Sequence, residues 1–241
     1  TFYRIDYMMG GPPFSALPDK GVDIAQAGLD KTLVDIKLKF NNPLHTFKTL
    51  SSFNTLTIEI LELSESKNFD LVVMGTQGAT GAKEIFLGTH TVHVIRKSKI
   101  PILVVPVGYE FKKIKSIIFP TDYGQLYREK DIKLLINLST THNAKLTILH
   151  IKEEYDLVDE QKVNKKALKD YFKNISSEFV EERGKLMPEA IRTYIEEHQT
   201  GLLVMMSRKH SFLERLIVKS NVDFIGYHTK IPFLVIPETS A

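Results

Sequence analysis

The sequence predicts an α/β fold made of two tandem modules, each with a doubly wound parallel sheet. The first reason is an internal repeat: KIPILVVP at residues 99–106 returns as KIPFLVIP at residues 230–237, an offset of 131 residues. At the same offset and without a gap, LVVM at 71–74 coincides with LLVM at 202–205. Two apolar segments that match at one fixed offset indicate a duplicated unit rather than chance similarity. The second reason is that apolar strand patterns alternate with helix patterns in each copy.

The composition is that of a globular protein. Apolar residues make up 43% and charged residues 25% of the 241 residues, which excludes disordered, collagenous and fibrous classes. The longest apolar runs span five or six residues, far below the roughly 18–20 that a membrane-spanning helix needs, so we expect no membrane partner. A net charge of +3, without a basic stripe interleaved with aromatics, argues against nucleic-acid binding. The absence of cysteine rules out disulfides and thiolate sites and fits a cytoplasmic location.

In the first copy, apolar residues at helical spacing predict two helices, through Leu29, Leu33, Ile36 and Phe40 and through Leu56, Ile60 and Leu63. Residues 56–60 also alternate as a strand would, so this segment has two interpretations. Between the two helices, the segment Thr46–Phe53 is predicted to be a strand. A strand at 71–74, a further helix and the strand within 99–106 complete the copy.

The second copy shows the same alternation. Short apolar runs predict strands at Ser116–Pro120, Leu146–Ile151, Leu202–Met206 and Phe233–Ile236. Apolar residues at helical spacing predict four helices, through Ile132, Leu135 and Leu138; through Val163, Ala167, Tyr171 and Ile175; through Ile191 and Ile195; and through Leu213, Ile217 and Phe224. Short apolar strands between amphipathic helices predict parallel strands covered on both faces, and right-handed crossovers make each sheet doubly wound and Rossmann-like.

The first copy is predicted to lack its opening strand and helix. Thr1–Ile5 coincides with Thr147–Ile151 at an offset of 146, so the counterpart of residues 114–146 does not precede it in this chain. The change of offset predicts a 15-residue insertion near the GGPP sequence at residues 10–13, which cannot continue a strand or helix. We place the domain boundary in the polar break near residue 109, giving domains 1–109 and 110–241.

Two prolines suggest how the copies meet. Pro101 and Pro232 stand near the starts of the last strands and remove ladder donors there, which predicts edge strands. An exposed valine-rich edge promotes aggregation unless it is covered. The simplest cover is the matching strand of the other copy, antiparallel across a pseudo-twofold axis, so we expect an intramolecular pseudo-dimer. A further homo-oligomer is possible, and the sequence does not decide it.

A glycine-rich segment, GTQGATGAKEIFLGT at residues 75–89, joins the strand at 71–74 to the next helix. Ligands of doubly wound sheets lie beyond the carboxyl ends of the strands, and the amides of a glycine loop and of a helix start attract phosphate. The G-x-G-x-x-G fingerprint is absent, and the only Gly-Lys pair, Gly184-Lys185, is followed by Leu186 rather than by Ser or Thr. A glycine-rich turn without a ligand is therefore the alternative.

The spacing Gly75-x2-Gly78-x9-Gly88-Thr89 resembles the ATP-binding signature G-x2-G-x9-G-(S/T) of the universal stress protein family. Pro120-Thr121-Asp122 resembles the opening strand of that family with its aspartate. The resemblance covers nearly the whole chain as two tandem modules. It implies a five-stranded parallel α/β sheet in each complete module and a regulatory, nucleotide-binding stress-response protein.

The resemblance also implies a site for ATP, or AMP, in the first module, with Mg²⁺ as a possible companion that bridges phosphates. The loop residues implied to hold phosphate and ribose are Gly75, Thr76, Gln77, Gly78, Gly88 and Thr89. The backbone of Ile5 would contact adenine. Asp122 is a weaker candidate in the second module, because Met206, Lys209 and Lys219 replace the three signature glycines there and would crowd a phosphate.

Other groups offer alternatives. His90 and His93, three residues apart, could share a metal, although a surface helix explains the spacing equally. Ser207, Arg208 and Lys209 could hold a different anion, and Asp122 could cap a helix or orient a loop instead of binding a ligand. No nucleophile, general base or arginine finger is evident, so we expect a binding protein rather than a dedicated enzyme. A slow ATPase or adenylyl transferase and a non-binding structural protein are the alternatives.

Overall fold

The computed structural model describes residues 17–66, 69–76, 89–152, 156–183, 187–207 and 230–238. Within these ranges the helices are α1 (Leu17–Lys39), α2 (Leu56–Ser66), α3 (Thr89–Lys97), α4 (Glu129–His142), α5 (Asp159–Phe172) and α6 (Met187–Glu197). The strands are β1 (Val72–Gly75), β2 (Ile102–Val105), β3 (Ser116–Thr121), β4 (Lys145–Lys152), β5 (Ser177–Arg183), β6 (Leu202–Ser207) and β7 (Phe233–Pro237). The predicted helix through Leu213, Ile217 and Phe224 lies outside the described residues.

The chain divides into two compact units, residues 1–59 and 60–241. In the smaller unit, α1 is followed by a segment without regular structure, and the Gln26 side chain on α1 donates a hydrogen bond to Thr49 Oγ1 (3.3 Å). The predicted strand at Thr46–Phe53 is wrong, since these residues form no strand. A strand needs a neighbour to satisfy its backbone groups, and none of the described residues pairs with this segment. Residues 56–60 are helical, which settles the two interpretations of that segment.

The seven described strands, all in the larger unit, form one sheet in the order β1-β2-β7-β6-β3-β4-β5. Five adjacent strands, β7-β6-β3-β4-β5, belong to the second copy and pair only in parallel. β1 and β2 of the first copy also pair in parallel, and β2 and β7 pair antiparallel. The prediction of two tandem Rossmann-like α/β modules is therefore confirmed.

The β2–β7 pairing shows the pseudo-twofold symmetry directly. Leu103 pairs with Leu234, its own counterpart at the offset of 131, while Ile102 pairs with Val235 and Val104 with Phe233. At a twofold interface, when one residue pairs with the counterpart of a second residue, the second residue pairs with the counterpart of the first, as these strands do. The local axis therefore passes between Leu103 and Leu234.

The prolines do not mark free edges. Pro101 and Pro232 each stand one residue before their strand, so their missing N–H groups fall outside the β2–β7 register. Their carbonyls accept equivalent hydrogen bonds from Val72 N (2.9 Å) and Leu203 N (3.0 Å). Each of β2 and β7 is the outermost described strand of its own copy on that side, and the two pair with each other inside the combined sheet, which confirms the predicted edge strands and their mutual cover.

Helices pack on both faces of the sheet. One cluster joins Val94 and Ile95 of α3 and Ile191 of α6 to the sheet, and the other joins Ile132 of α4 and Phe172 of α5 to the opposite face. Each fully buried aliphatic or aromatic side chain of this kind contributes about 1.5–3 kcal/mol of transfer free energy. The helices packed on both faces of the sheet thus fix the positions of the strand ends.

Two local features differ from the sequence pattern. α5 buries Asn164, Leu168 and Phe172, whereas Val163, which anchored the predicted helical face, is exposed. β5 was not predicted, because its sequence SEFVEER is mostly charged. Among the described strands β5 pairs with β4 alone, and charged side chains suit a sheet edge since they discourage further pairing.

Candidate functional site

The described ends of the glycine-rich segment are fixed to the sheet. Gly75 is the last residue of β1, and α3 begins at Thr89. The buried Thr91 hydroxyl of α3 donates to the Gly75 carbonyl (3.2 Å), and the Thr76 amide donates to Val105 O (3.1 Å). The strand end and the helix start are thereby held together. Gln77, Gly78, Gly88 and Ile5 lie outside the described residues.

Thr76 carries one of two buried side-chain hydroxyls, with that of Thr200, that have no hydrogen-bond partner among the described residues. Only 2% of the residue is exposed, and within the described part of the chain its Oγ1 has no hydrogen-bond partner. A buried hydroxyl without a partner costs about 1–3 kcal/mol, and such a group calls for a specific explanation. Its position at the first residue after β1 is where ligands of parallel α/β sheets bind. The residue therefore fits a polar ligand at this strand end.

The dipole of α3 adds an electrostatic field that favours anions at the same strand end. Its nine residues start at the end of the glycine-rich segment, and Arg96 and Lys97 lie in its last turn. The positive end of a helix dipole attracts anions, while basic residues in the last turn complement the negative end. His90 and His93 are both exposed on this helix, and no group of three or more possible metal ligands forms among the described residues.

At the matching strand end of the second copy, a buried side chain replaces the glycine. Met206 stands where the first copy has Gly75, and it is only 5% exposed within the apolar cluster beneath α4 and α5. Gly75, in contrast, is exposed. Ser207, the counterpart of Thr76, reaches the Ile95 carbonyl of α3 at 3.5 Å. Arg208, Lys209 and Lys219 lie outside the described residues, so the alternative anion site there stays a prediction.

Asp122 organises the turn after β3. Its Oδ1 accepts the Gly124 amide (2.9 Å), and its main-chain carbonyl accepts the Gln161 side chain of α5 (2.8 Å). A Cβ added at Gly124 would lie 3.2 Å from the same Oδ1, so the turn favours glycine. These contacts match the interpretation in which the aspartate orients a loop.

A buried aromatic pair, not found from the sequence, lies beside Asp122. Tyr123 has a left-handed φ of 56°, and its ring lies 4.7 Å from that of His150, whose Nδ1–H donates to Thr121 O (3.0 Å). The Asn164 side chain donates to Tyr123 O (2.8 Å). Burial raises the pKa of the Tyr123 phenol far above its usual range, with further upward contributions from Glu181 and Tyr127. The ring therefore stays neutral and acts as packing.

Signals for this pair do exist in the sequence. His150 interrupts the apolar run TILHI of β4, and Gln161 and Asn164 stand three residues apart, on one side of α5. A polar residue within a buried strand usually has a specific hydrogen-bond partner. That rule would have directed attention to the carbonyls at the end of β3.

None of the helices in the described ranges has the length and apolar character required to cross a bilayer.

Comparison with known proteins identifies the fold and the family. The universal stress protein family model matches residues 25–106 and 113–237. Two universal stress proteins of Methanocaldococcus jannaschii are 47% and 49% identical to the chain over 47 residues, which are 20% of this chain. The same 47 residues are 29% and 28% of those proteins, so the chain matches less than a third of the length of these curated relatives.

Solved structures agree with the observed fold. A universal stress protein from Archaeoglobus fulgidus DSM 4304 matches with a TM-score of 0.66 at 19% identity, over 93% of this chain and 82% of that one. A functionally unknown protein from Pseudomonas aeruginosa PAO1 matches with a TM-score of 0.59 at 12% identity, over 87% and 78%. Since the family model covers well over half of the 241 residues, in both copies of the repeat, the chain belongs to the universal stress protein family.

Proposed function

We propose that the chain binds ATP, or AMP, at the carboxyl end of β1 and acts as a cytoplasmic regulatory protein of the stress response rather than as an enzyme. The observation that carries the proposal is the buried, unpartnered Thr76 hydroxyl beside the exposed Gly75. A phosphate oxygen accepts hydrogen bonds from hydroxyl and amide groups at such a strand end. The proposed phosphate and ribose contacts come from Gly75, Thr76, Gln77, Gly78, Gly88 and Thr89, with Ile5 near adenine.

The chemistry of the site suits binding. Main-chain amides and hydroxyls hold phosphate without changing protonation state, and the α3 dipole favours the negative charge. A divalent cation such as Mg²⁺ would bridge phosphate oxygens and lower their charge. A nucleophile with an adjacent base, the usual mark of covalent catalysis, is not among the described residues that surround Gly75 and Thr76.

We propose one site, in the first module. Met206 supports this number, because in the second copy a buried side chain stands where the first copy has an exposed glycine. Asp122 stays a weaker candidate, since its Oδ1 already accepts the Gly124 amide. In this proposal the second module acts as a scaffold for the first.

A matched pair of variants tests the Thr76 contact. Thr76→Val keeps the shape and removes the hydroxyl, and Ser207→Ala removes the corresponding hydroxyl of the second module. We expect Thr76→Val to weaken ATP binding about 10- to 150-fold, since a hydrogen bond to a charged group contributes about 1.5–3 kcal/mol. Ser207→Ala should leave the dissociation constant unchanged. Calorimetric titration of the full chain measures both, and equal affinities for all three proteins would contradict the assignment.

A second pair tests the glycine loop. Gly78→Lys places in the first module the residue type found at position 209, and we expect it to weaken ATP binding at least ~100-fold because its side chain crowds the phosphate. Lys209→Gly is the control and should change nothing. Unaltered binding by Gly78→Lys would reject the loop as the site. Phosphate release well above background in the unmodified chain, lost on Gly88 substitution, would instead support a slow ATPase.

A further inference from the structure

The lysines of α5 lie along one side of the helix. They recur at steps of three or four residues, which places them within about 100° of arc around the helix axis. The set consists of Lys162, Lys165, Lys166, Lys169 and Lys173, and we call it the α5 lysine row. Lys173 is the C-cap residue and keeps right-handed helical backbone angles. The row therefore extends for about 16 Å, at 1.5 Å per residue.

Most of the positive charge of the row is not balanced locally. Four of the five lysines are exposed, and Lys165 is partly buried. Lys162 pairs with Asp159 (2.8 Å), whereas the other four form no ion pair with any described residue. In contrast, every lysine and arginine of the neighbouring strands β4 and β5 pairs with a carboxylate, namely Lys145, Lys152 and Arg183. The row is thus a local basic surface on a chain with a net charge of only +3.

Aromatic rings hold two of these ammonium groups in position. Lys165 Nζ lies 5.4 Å from the centre of the Tyr123 ring, and Lys169 Nζ lies 5.6 Å from that of Phe179. A ring face attracts a cation without neutralising its charge. The helix itself is fixed on its other side by the buried residues Asn164, Leu168 and Phe172. Such preorganised side chains lose little conformational entropy when they bind a partner.

The row is a property of the second copy alone. At the offset of 131, its five positions correspond to Lys31, Val34, Asp35, Leu38 and Asn42. Only the first of these is a lysine, although α1 is helical through Lys39. The repeated helix therefore forms without the row, and the lysines point to a role specific to the second module.

The surroundings of the row restrict the kind of anion that fits. The exposed Asp159 and Asp170 follow it within about 40° around the helix, so a broad anionic membrane would meet these carboxylates as well. Nucleic acids gain affinity from bases stacked on exposed rings, but Tyr123 beneath the row is only 1% exposed. A narrow line of carboxylates avoids both difficulties, because it faces the lysines alone.

We propose that the α5 lysine row docks an acidic helix of a partner protein, which lies alongside α5 and carries Glu or Asp every three or four residues. Two α-helices share a pitch of about 5.4 Å, so carboxylates at this spacing face successive lysines. Exposed ion pairs contribute little individually, so binding needs several of them and weakens as salt is added. This docking does not depend on nucleotide binding.

A synthetic peptide provides the probe. It is an alanine-based helix with Glu at positions i, i+4, i+7 and i+11, and its control has Gln in place of each Glu. Fluorescence anisotropy measures the binding of both peptides to the full chain. We expect the Glu peptide alone to bind, and its affinity to fall at least about tenfold between about 0.05 M and 0.5 M salt. No binding of the Glu peptide at millimolar chain concentration, or equal binding of the Gln peptide, would overturn the proposal.

Two double variants of equal net charge locate the site. Lys166→Glu with Lys169→Glu reverses the centre of the row, and Lys37→Glu with Lys39→Glu makes the same change on exposed lysines of α1. We expect the first to weaken binding of the Glu peptide at least about tenfold, since two attractions become repulsions. The second should bind nearly as well as the unmodified chain. Equal losses in both would show a response to net charge alone and overturn the assignment.

Two further measurements keep the test independent of how well the reversed variant folds. Lys166→Gln with Lys169→Gln should weaken binding in the same direction but less. Addition of the Glu peptide should shift the amide resonances of residues 162–173 of the unmodified chain in NMR spectra, and shifts confined to other residues would contradict the site. Tighter binding to an oligonucleotide or to phosphatidylserine vesicles would overturn the acidic helix as the partner, and so would self-association that salt reverses.

Discussion

The equivalent strands β1 and β6 of the two copies end in different residues with different burial. Residues 71–76 read LVVMGT and residues 202–207 read LLVMMS. The first ends at an exposed glycine followed by a buried, unpartnered threonine hydroxyl, and the second ends at a buried methionine followed by a serine that reaches α3. The apolar residues within the two strands are alike because each strand lies beside an equivalent partner, β2 beside β1 and β7 beside β6. In our proposal, the difference at the last two positions is what allows a ligand at the first strand end and not at the second.

The largest effect on stability is expected from removing the buried methionine at the end of β6. We expect Met206→Gly to destabilise the larger unit by about 3–5 kcal/mol, because it leaves a cavity in the cluster beneath α4 and α5 and adds a flexible residue to a strand. Urea unfolding followed by circular dichroism measures the change. A loss below about 1 kcal/mol would show that Met206 does not fill space in the core.

Two matched substitutions in the strand interior measure how differently the two equivalent positions are buried. Val204→Ala removes two methyl groups from a fully buried position and should cost about 1–3 kcal/mol. Val73→Ala makes the same change at a position that is 61% exposed, so its cost should stay within about 0.5 kcal/mol. The same unfolding experiment measures both. Similar costs at the two positions would contradict this difference in burial.

The smallest expected effect concerns the far edge of the second module. Glu178 of β5 accepts hydrogen bonds from Lys145 (2.6 Å) and Thr147 (2.9 Å) of β4. The Lys145 hydrogen bond is the main cause that lowers the pKa of Glu178 below its usual value, with Thr147 contributing in the same direction. Since the Lys145 side chain is exposed and Glu178 is only partly buried, solvent screens the pair and its contribution to stability is small.

The pH dependence follows from the direction of that shift. A carboxyl group with a lowered folded-state pKa stabilises the fold above its unfolded pKa, and this stabilisation disappears as the pH falls through the folded value. Glu178→Gln should therefore lower the unfolding temperature slightly at pH 7, and the difference from the unmodified chain should shrink as the pH falls below the usual glutamate pKa and vanish below the lowered folded pKa of Glu178. A constant difference across this range would indicate packing and not charge.

Much of the fold follows from the sequence, because buried parallel strands are short apolar runs and their repeat is visible. The matching prolines and the offset of 131 also predicted that β2 and β7 cover each other. β5 was not predicted and a strand at Thr46–Phe53 was predicted wrongly for the same reason: the neighbours of such a segment decide whether it forms a strand. The buried side of α5 was misplaced by one residue, since Asn164 is polar and its hydrogen bond to Tyr123 O makes its burial favourable.

The candidate site was predictable in part. The glycines and Thr76 stand in a recognisable spacing after an apolar strand, but the burial of the Thr76 hydroxyl depends on tertiary packing that spacing does not reveal. The role of Asp122 was left between ligand binding and turn formation, and its hydrogen bond to Gly124 depends on the local backbone. Of the Tyr123–His150 pair, only His150 has a signal in the sequence, as a polar residue in an apolar strand; Tyr123 has none, because its left-handed backbone follows from the turn that encloses it.

The most direct test of the account counts adenine nucleotides on the intact chain. Native mass spectrometry of the full chain with ATP and Mg²⁺ should show one nucleotide for each polypeptide, and Thr76→Val should reduce that occupancy at limiting ATP. Two bound nucleotides would contradict the idea that Met206 closes the second strand end. No bound nucleotide at saturating ATP would contradict a nucleotide site at Gly75 and Thr76.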